Sequence, residues 1–253
     1  MPATSTVYKS QGLCTDMTLP IQFKDPAATP GTKAVFDALD TNSWARQAAP
    51  QAGDAWVNLV AGGDCSFSAA LPGWDGGFVF DGAAAQIITG PTGLKMAADD
   101  TKGFYFGCWA KFATVAAGNQ HVASLGDGAV ATSQFMIYRT GAILVLAANG
   151  GAGQQFNGLQ AGVPYHMAVG FQGDGTGKFV RSTWLNGAQL GAGALTAEAI
   201  VQPAATRPTF GRNPNIGNFA GEFNRWMYDA LSSGATVAQL VAADYAAGAG
   251  RFG

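Results

Sequence analysis

The stretch GFYFGCWAKF, Gly103 to Phe112, alternates with a period of two, which only an extended chain can exploit. If extended, it sets Phe104, Phe106, Cys108, Ala110 and Phe112 on one side and Tyr105, Trp109 and Lys111 on the other, so the first side is expected to be core. The pattern recurs in YHMAVGF, where Tyr165, Met167, Val169 and Phe171 alternate with His166, Ala168 and Gly170. In FAGEFNRWMYDAL, strict alternation sets Phe219, Phe223 and Met227 against Trp226 and Tyr228. Further strands are predicted at Val57 to Val60, Phe78 to Asp81, His121 to Leu125, Phe135 to Tyr138, Ile143 to Ala147 and Thr209 to Gly211. So many short strands between Gly, Asn and Asp turns predict an all-β antiparallel sandwich or jelly roll, with Phe106 and Phe223 pointing inward on facing strands.

Two local signals are sharper than the rest. Asn186-Gly187, between KFVRSTWL and AQLGAG, predicts a type I′ hairpin, with Trp184 packing on the sheet rather than meeting a ligand. Near the end, Val237, Leu240, Val241 and Tyr245 recur at helical spacing behind Thr236 as N-cap, with Gly248 as the stop. A short C-terminal helix is expected there.

Residues 1–50 read differently, holding Pro20, Pro26, Pro30 and Pro50 and little alternation. They are expected to form an extended arm ahead of a sandwich domain at 51–253, with a helical turn at Ala34 to Leu39. The arm carries Leu19, Ile21, Phe23, Val35, Phe36, Leu39 and Trp44, more apolar bulk than a free linker tolerates in water. It is therefore expected either to lie along its own sandwich or to reach a neighbouring subunit, the second being preferred.

The 253 residues include 36 glycines and 11 prolines, under the range of disordered low-complexity chains. Only 12% are charged, with a net charge of −2 and no Lys/Arg cluster, so no nucleic-acid partner is expected. A surface so poor in charge is prone to associate, and a homo-oligomer is expected. No run of about 18 apolar residues occurs, so no membrane partner is expected, and MPATSTVYKSQG lacks the apolar stretch of a signal peptide. Cys14, Cys65 and Cys108 are odd in number and widely spaced, which reads as free thiols of a reducing cytosol and neither a disulfide framework nor a zinc site.

Six pieces in order carry a resemblance: FVFDG, GFYFGCWAKF, HVASLGDG, VPYHMAVGF, STWLNGAQLG and FGRNP followed by FAGEFNRWMYDALSS. Together they resemble the concanavalin A-like lectin/glucanase superfamily, in its laminin-G-like branch, over about residues 55 to 248. The resemblance implies a concanavalin A-like jelly roll. It also suggests the modules of bacteriophage virions, in tail or fibre parts or on the capsid exterior, assembled in the host cytoplasm without a secretion signal.

Glucanases of that superfamily carry a Glu-x-Asp-x-Glu-type motif, because retaining hydrolysis needs two carboxylates about 5 to 5.5 Å apart. Here the only glutamates are Glu198 and Glu222, far apart in sequence, and the adjacent Asp99 and Asp100 would project to opposite faces. His166 falls in a core strand and His121 at the exposed start of another. GDGTGK, Gly173 to Lys178, lacks the spacing of a phosphate loop and reads as a hairpin turn. From these features no enzymatic activity is expected.

Two non-catalytic readings remain. In the first, the domain binds carbohydrate or a surface protein through loops at one edge of the sandwich, with Trp74, Asp75, Asp127, Asn149, Arg212, Asn213 and Asn215 as candidates, since sugars need planar polar groups and an aromatic platform. The same residue types are what turns require. In the second, preferred reading the chain is a structural component of a virion, joined to other virion subunits through its arm, with host-surface carbohydrate as a further contact. No cofactor is expected, and no calcium ligand set can be assembled from the spacing.

Overall fold

The computed structural model describes residues 25–60, 62–83 and 85–252. In chain order the strands are β1 (Thr32–Asp37), β2 (Ala55–Trp56), β3 (Cys65–Phe67), β4 (Gly73–Trp74), β5 (Phe78–Asp81), β6 (Ile88–Thr89), β7 (Gly103–Phe112), β8 (Asn119–Gly126), β9 (Ser133–Thr140) and β10 (Ile143–Ala148). They continue as β11 (Gln154–Asn157), β12 (Pro164–Gly173), β13 (Lys178–Leu185), β14 (Ala188–Ala192), β15 (Thr196–Ala197), β16 (Thr209–Phe210), β17 (Arg212–Asn213), β18 (Gly217–Asn218) and β19 (Ala220–Asp229), before one helix, α1 (Val237–Gly248).

Two antiparallel sheets make the expected sandwich. The larger runs β14-β13-β12-β7-β19-β5-β4, with β1 beside β19 and β15 beside β13; the smaller runs β11-β10-β9-β8-β16-β6-β3-β2. Between them lies the main core, where Phe106 of β7 stacks on Phe135 of β9 at 4.0 Å between ring centroids. A second apolar layer joins Tyr105, Ala168 and Met227 on the outer face of the larger sheet to Val237, Leu240 and Val241 of α1. Each such aliphatic side chain contributes about 1.5–3 kcal/mol on burial.

Both faces of β7 are therefore covered. The Tyr105 and Trp109 side, expected to be the wetter one, lies under α1, with Trp109 stacked on Tyr245 at 5.5 Å. The predicted phase of β19 holds for Phe219 and Phe223 and then reverses: Trp226 and Tyr228 enter the main core while Met227 faces the helix. The cause is a register shift between Phe223 and Arg225, where Asn224 adds one residue. Phe106 and Phe223 both point into the main core, but from neighbouring strands of one sheet rather than from facing strands.

Residues expected in the arm are built into the sandwich from Asp25 onward. The expected helical turn at Ala34 to Leu39 is instead the end of β1 and the turn after it, with Phe36 stacked on Trp226 at 4.6 Å and Trp44 edge-on to Phe78 at 5.1 Å. β5 and β1 share one side of β19, which pairs with β5 before the bulge and with β1 after it. Of the expected arm, residues 1–24 lie outside the described residues. The strand predicted at Val57 to Val60 is replaced by the short β2 and a loop in which Asn58 Oδ1 accepts the Val35 N–H at 2.9 Å.

The hairpin and helix form as their local chemistry requires. Asn186 and Gly187 have φ of 50° and 78°, as a type I′ turn needs. Thr236 and Gln239 form a reciprocal capping box at the start of α1. A Cβ at residue 187 would stand 2.9 Å from the Tyr245 ring, besides resisting positive φ. Gly187→Val is therefore expected to destabilise the chain by about 1–3 kcal/mol, read as a lower urea midpoint. An unchanged midpoint would refute the turn assignment.

Candidate functional site

The densest set of ionisable groups is sealed between the larger sheet, α1 and the segment around β1. The β19 bulge turns Arg225, fully buried, towards that layer, where it donates to Asp244 at 2.8 Å, to Asp25 at 2.6 and 3.0 Å and to Asp37 at 3.2 Å. Tyr105 donates to Asp244 at 2.7 Å, and His166 Nε2 lies 3.2 Å from the same oxygen. Burial alone would raise the Asp244 carboxyl, but Arg225 and the hydrogen bonds from His166 and Tyr105 hold it well below the usual carboxylate range. This network ties the start of the described chain to its last helix.

His121, expected at an exposed strand start, is fully buried, with Nε2 2.9 Å from Ser124 Oγ. Burial pushes its pKa down from 6.5 to about 3. The folded chain thus keeps a neutral imidazole where the unfolded chain is protonated. Above about pH 6.5 the two states bind equal protons. As pH falls from there towards 3, His121 withdraws up to about 1.4 kcal/mol of stability per pH unit. Urea unfolding at about pH 7 and about pH 5.5 is expected to show this loss in the parent chain and its reduction in His121→Gln; equal slopes in both would contradict the assignment.

The seven residues singled out from the sequence do not converge on one site. Trp74, half-buried on β4, packs against Phe78 at 5.4 Å, and the exposed Asp75 borders a shallow cleft with Lys111 and Glu222. Asn149, with φ of 46°, donates to the Ala199 carbonyl at 3.0 Å and accepts from Val201 N–H at 2.8 Å, so its amide holds a neighbouring segment. Asp127 accepts the N–H groups of Ala204 and Ala205 at 2.9 and 2.8 Å, and these bonds lower its carboxyl pKa. The buried Asn213 accepts the Asn215 N–H at 2.9 Å.

The structure does bring Asn213 and Asn215 together over Gly128, beside Asp127 and Arg212. A Cβ at Gly128 would lie 2.1 Å from Asn215 Nδ2. The side chain of the half-buried Arg212 makes no hydrogen bond among the described residues. Next to this group opens a cleft of about 230 Å³ lined by Asn119, Tyr138 and Ile216.

A larger cleft, about 360 Å³, lies on the outer face of the larger sheet beside the first turn of α1. Its origin is the phase of β13: Phe179 and Leu185 turn into the main core, which sends Val180, Ser182 and Trp184 outward. Trp184 is half-buried and donates from Nε1 to Ser182 Oγ at 3.1 Å, fixing the plane of the indole. One wall is the start of α1, pinned to β12 where Val237 N–H donates to Gln172 Oε1 at 3.0 Å. Another is the β12–β13 turn, where Asp174 accepts from Thr176 N–H at 2.7 Å. Gln189, opposite Trp184 in the strand pairing, is exposed, and its side chain makes no hydrogen bond among the described residues.

Sequence reasoning missed this site. Its signal was present in KFVRSTWL, where Trp184 falls on the side opposite Phe179 and Leu185, but the other walls come from three separate segments.

No family model matches the chain, and a search of curated proteins finds no match. Among solved structures, the sialidase of Trypanosoma rangeli superposes with a TM-score of 0.59 at 11% identity, covering 86% of this chain and 34% of that one. Domain 4 of AbnA, a GH43 extracellular arabinanase from Geobacillus stearothermophilus in complex with arabinotriose, gives a TM-score of 0.46 at 16% identity over 84% of this chain and 97% of that one. A heptameric SAP-like pentraxin from Limulus polyphemus gives 0.43 at 13% over 64% and 78%. The chain spans about a third of the length of the sialidase it matches.

At these identities the likeness is one of fold. It corrects the expectation of no enzymatic activity, which rested on the missing carboxylate motif, the placement of the two histidines and the lack of a phosphate loop. The fold recurs within a chain that is a sialidase, so the lack of a glucanase motif does not exclude catalysis. What the sialidase comparison supports is the fold alone, a two-sheet antiparallel β-sandwich.

Proposed function

We propose that the chain is a carbohydrate-recognising β-sandwich module, and that a saccharide unit lies across Trp184 in the cleft beside α1. One observation carries this reading: a held indole, the amide groups of Gln172 and Gln189 and the hydroxyl of Ser182 border a single concavity about the size of one or two sugar rings. The apolar C–H face of a pyranose covers an indole, while its hydroxyls need donors and acceptors in fixed directions. A glycan array followed by titration calorimetry tests it. Trp184→Ala is expected to weaken binding about tenfold or more. Binding that is unchanged in this variant places the site elsewhere.

The setting we propose is a bacteriophage virion, in a tail, fibre or capsid-exterior part where a glycan reader meets the host surface. The low charge and the apolar Leu19, Ile21 and Phe23 support it. The expected contacts with other virion subunits fall on residues 1–24, which lie outside the described residues. A chain lacking residues 1–24 is expected to fold and to be missing from purified particles; particles carrying it at full occupancy would refute this setting.

A further inference from the structure

The groups bordering the Trp184 cleft also restrict which sugar it accepts, an inference that rests on the carbohydrate reading above. Among the described residues, Asp174 is the sole ionised side chain in the lining. Hydrogen bonds from the Thr176 N–H and hydroxyl hold its carboxyl below the usual range, so it stays charged at neutral pH. Lys178 adjoins Asp174 in the turn but does not line the cleft, and among the described residues no Arg or Lys does. An anionic sugar entering here would face a carboxylate with no cation to neutralise its own charge.

The second restriction is apolar. Leu195 is 49% exposed, and among the described residues it and Val57 are the only large hydrophobic side chains left open to solvent. Leu195 lines this cleft with Val180 and Val237, and Gln172 and Gln189 line it too. A ligand that covered the indole alone would leave this corner wet. A methyl group beside an amide would fill it and use both kinds of neighbour.

Gln172 Oε1 is already taken by the Val237 N–H, so its NH₂ remains to donate, and Gln189 has both its oxygen and its NH₂ to offer. An acetamido group supplies one acceptor, one donor and one methyl. We infer that the cleft takes a neutral saccharide unit bearing an acetamido group, the N-acetylhexosamine class, and discriminates against sialic and uronic acids.

The test is titration of the full chain, at low salt and neutral pH, with three probes: an N-acetylglucosamine trimer, a glucose trimer and 3′-sialyllactose. The N-acetylglucosamine trimer is expected to bind best, and sialyllactose at least about fivefold more weakly. Leu195→Ser should weaken the N-acetylglucosamine trimer several-fold and leave the glucose trimer unchanged, while Asp174→Lys should narrow the gap to sialyllactose. Trp184→Ala and the surface change Gln189→Ala, each confirmed folded by its circular dichroism melt, should weaken the N-acetylglucosamine trimer. Equal or tighter binding of the glucose trimer or sialyllactose, lost in Trp184→Ala, would overturn this inference and leave the carbohydrate reading standing. No binding by any probe, together with an empty glycan array, would overturn both.

Discussion

Arg225→Ala is expected to cost about 3–5 kcal/mol, because it leaves Asp25, Asp37 and Asp244 buried around a missing cation. Asp37 keeps Arg251 as a partner, at 2.6 and 3.1 Å, but Asp25 loses its guanidinium and Asp244 keeps only His166 and Tyr105. Against a typical total of about 5–15 kcal/mol, this is a third or more of the stability of a domain. Arg225→Lys is expected to rescue little, since an ammonium is a single point charge and cannot fork to three carboxylates as a guanidinium does. The check is urea unfolding of both variants at neutral pH. A parent-like midpoint for Arg225→Ala would show that the network contributes no net stability.

Phe106→Ala is expected to cost a similar amount, about 3–5 kcal/mol, by a different route. Its ring is fully buried and lies nearly parallel to Phe135 of the opposite sheet, at 11° between planes, with Phe210 and Trp226 within 6.3 Å. The smaller side chain would leave a cavity bounded by both sheets, and each sheet, stiffened by its own hydrogen-bonded ladder and held at its spacing by the surrounding side chains, closes on it only partly. The apolar loss makes no appeal to charge, so its size should vary little with pH between about 6 and 8. A variant that melts like the parent would refute the inward phase of β7.

Local chemistry was legible wherever it acts within a few residues. The Asn186-Gly187 turn and the Thr236 cap depend on neighbours one to three positions away, and both stand where the sequence placed them. The long strands were legible from their period of two. That period reports a wet face only when one side meets solvent, which is why β7 misled: Tyr105 and Trp109 look like a second side and are covered by α1. β1 shows no apolar/polar alternation over Ala34 to Phe36, because Phe36 serves the main core and Val35 the layer under the helix, so its few residues passed for a helical turn.

The candidate site was less legible than the fold. Asn, Asp and Arg in loops drew attention because sugars need them, yet Asp127, Asn149 and Asn213 are occupied in holding backbone N–H or carbonyl groups. Trp184 was visible and was assigned to packing, since its cleft needs the β12–β13 turn, the Gln189 strand, Leu195 and the first turn of α1 together.

By itself the sequence determined the all-β sandwich, most strand positions, the hairpin and the terminal helix, because alternation, turn dihedrals and capping are properties of short segments. Only the tertiary structure decided the direction of Arg225, the inclusion of residues 25–50 in the sandwich and the walls of the cleft. Arg225 turns on one extra residue at Asn224, and its partners Asp25 and Asp37 lie 200 and 188 residues away in the chain. Separations of that size are closed by sheet pairing and burial, which no local pattern encodes.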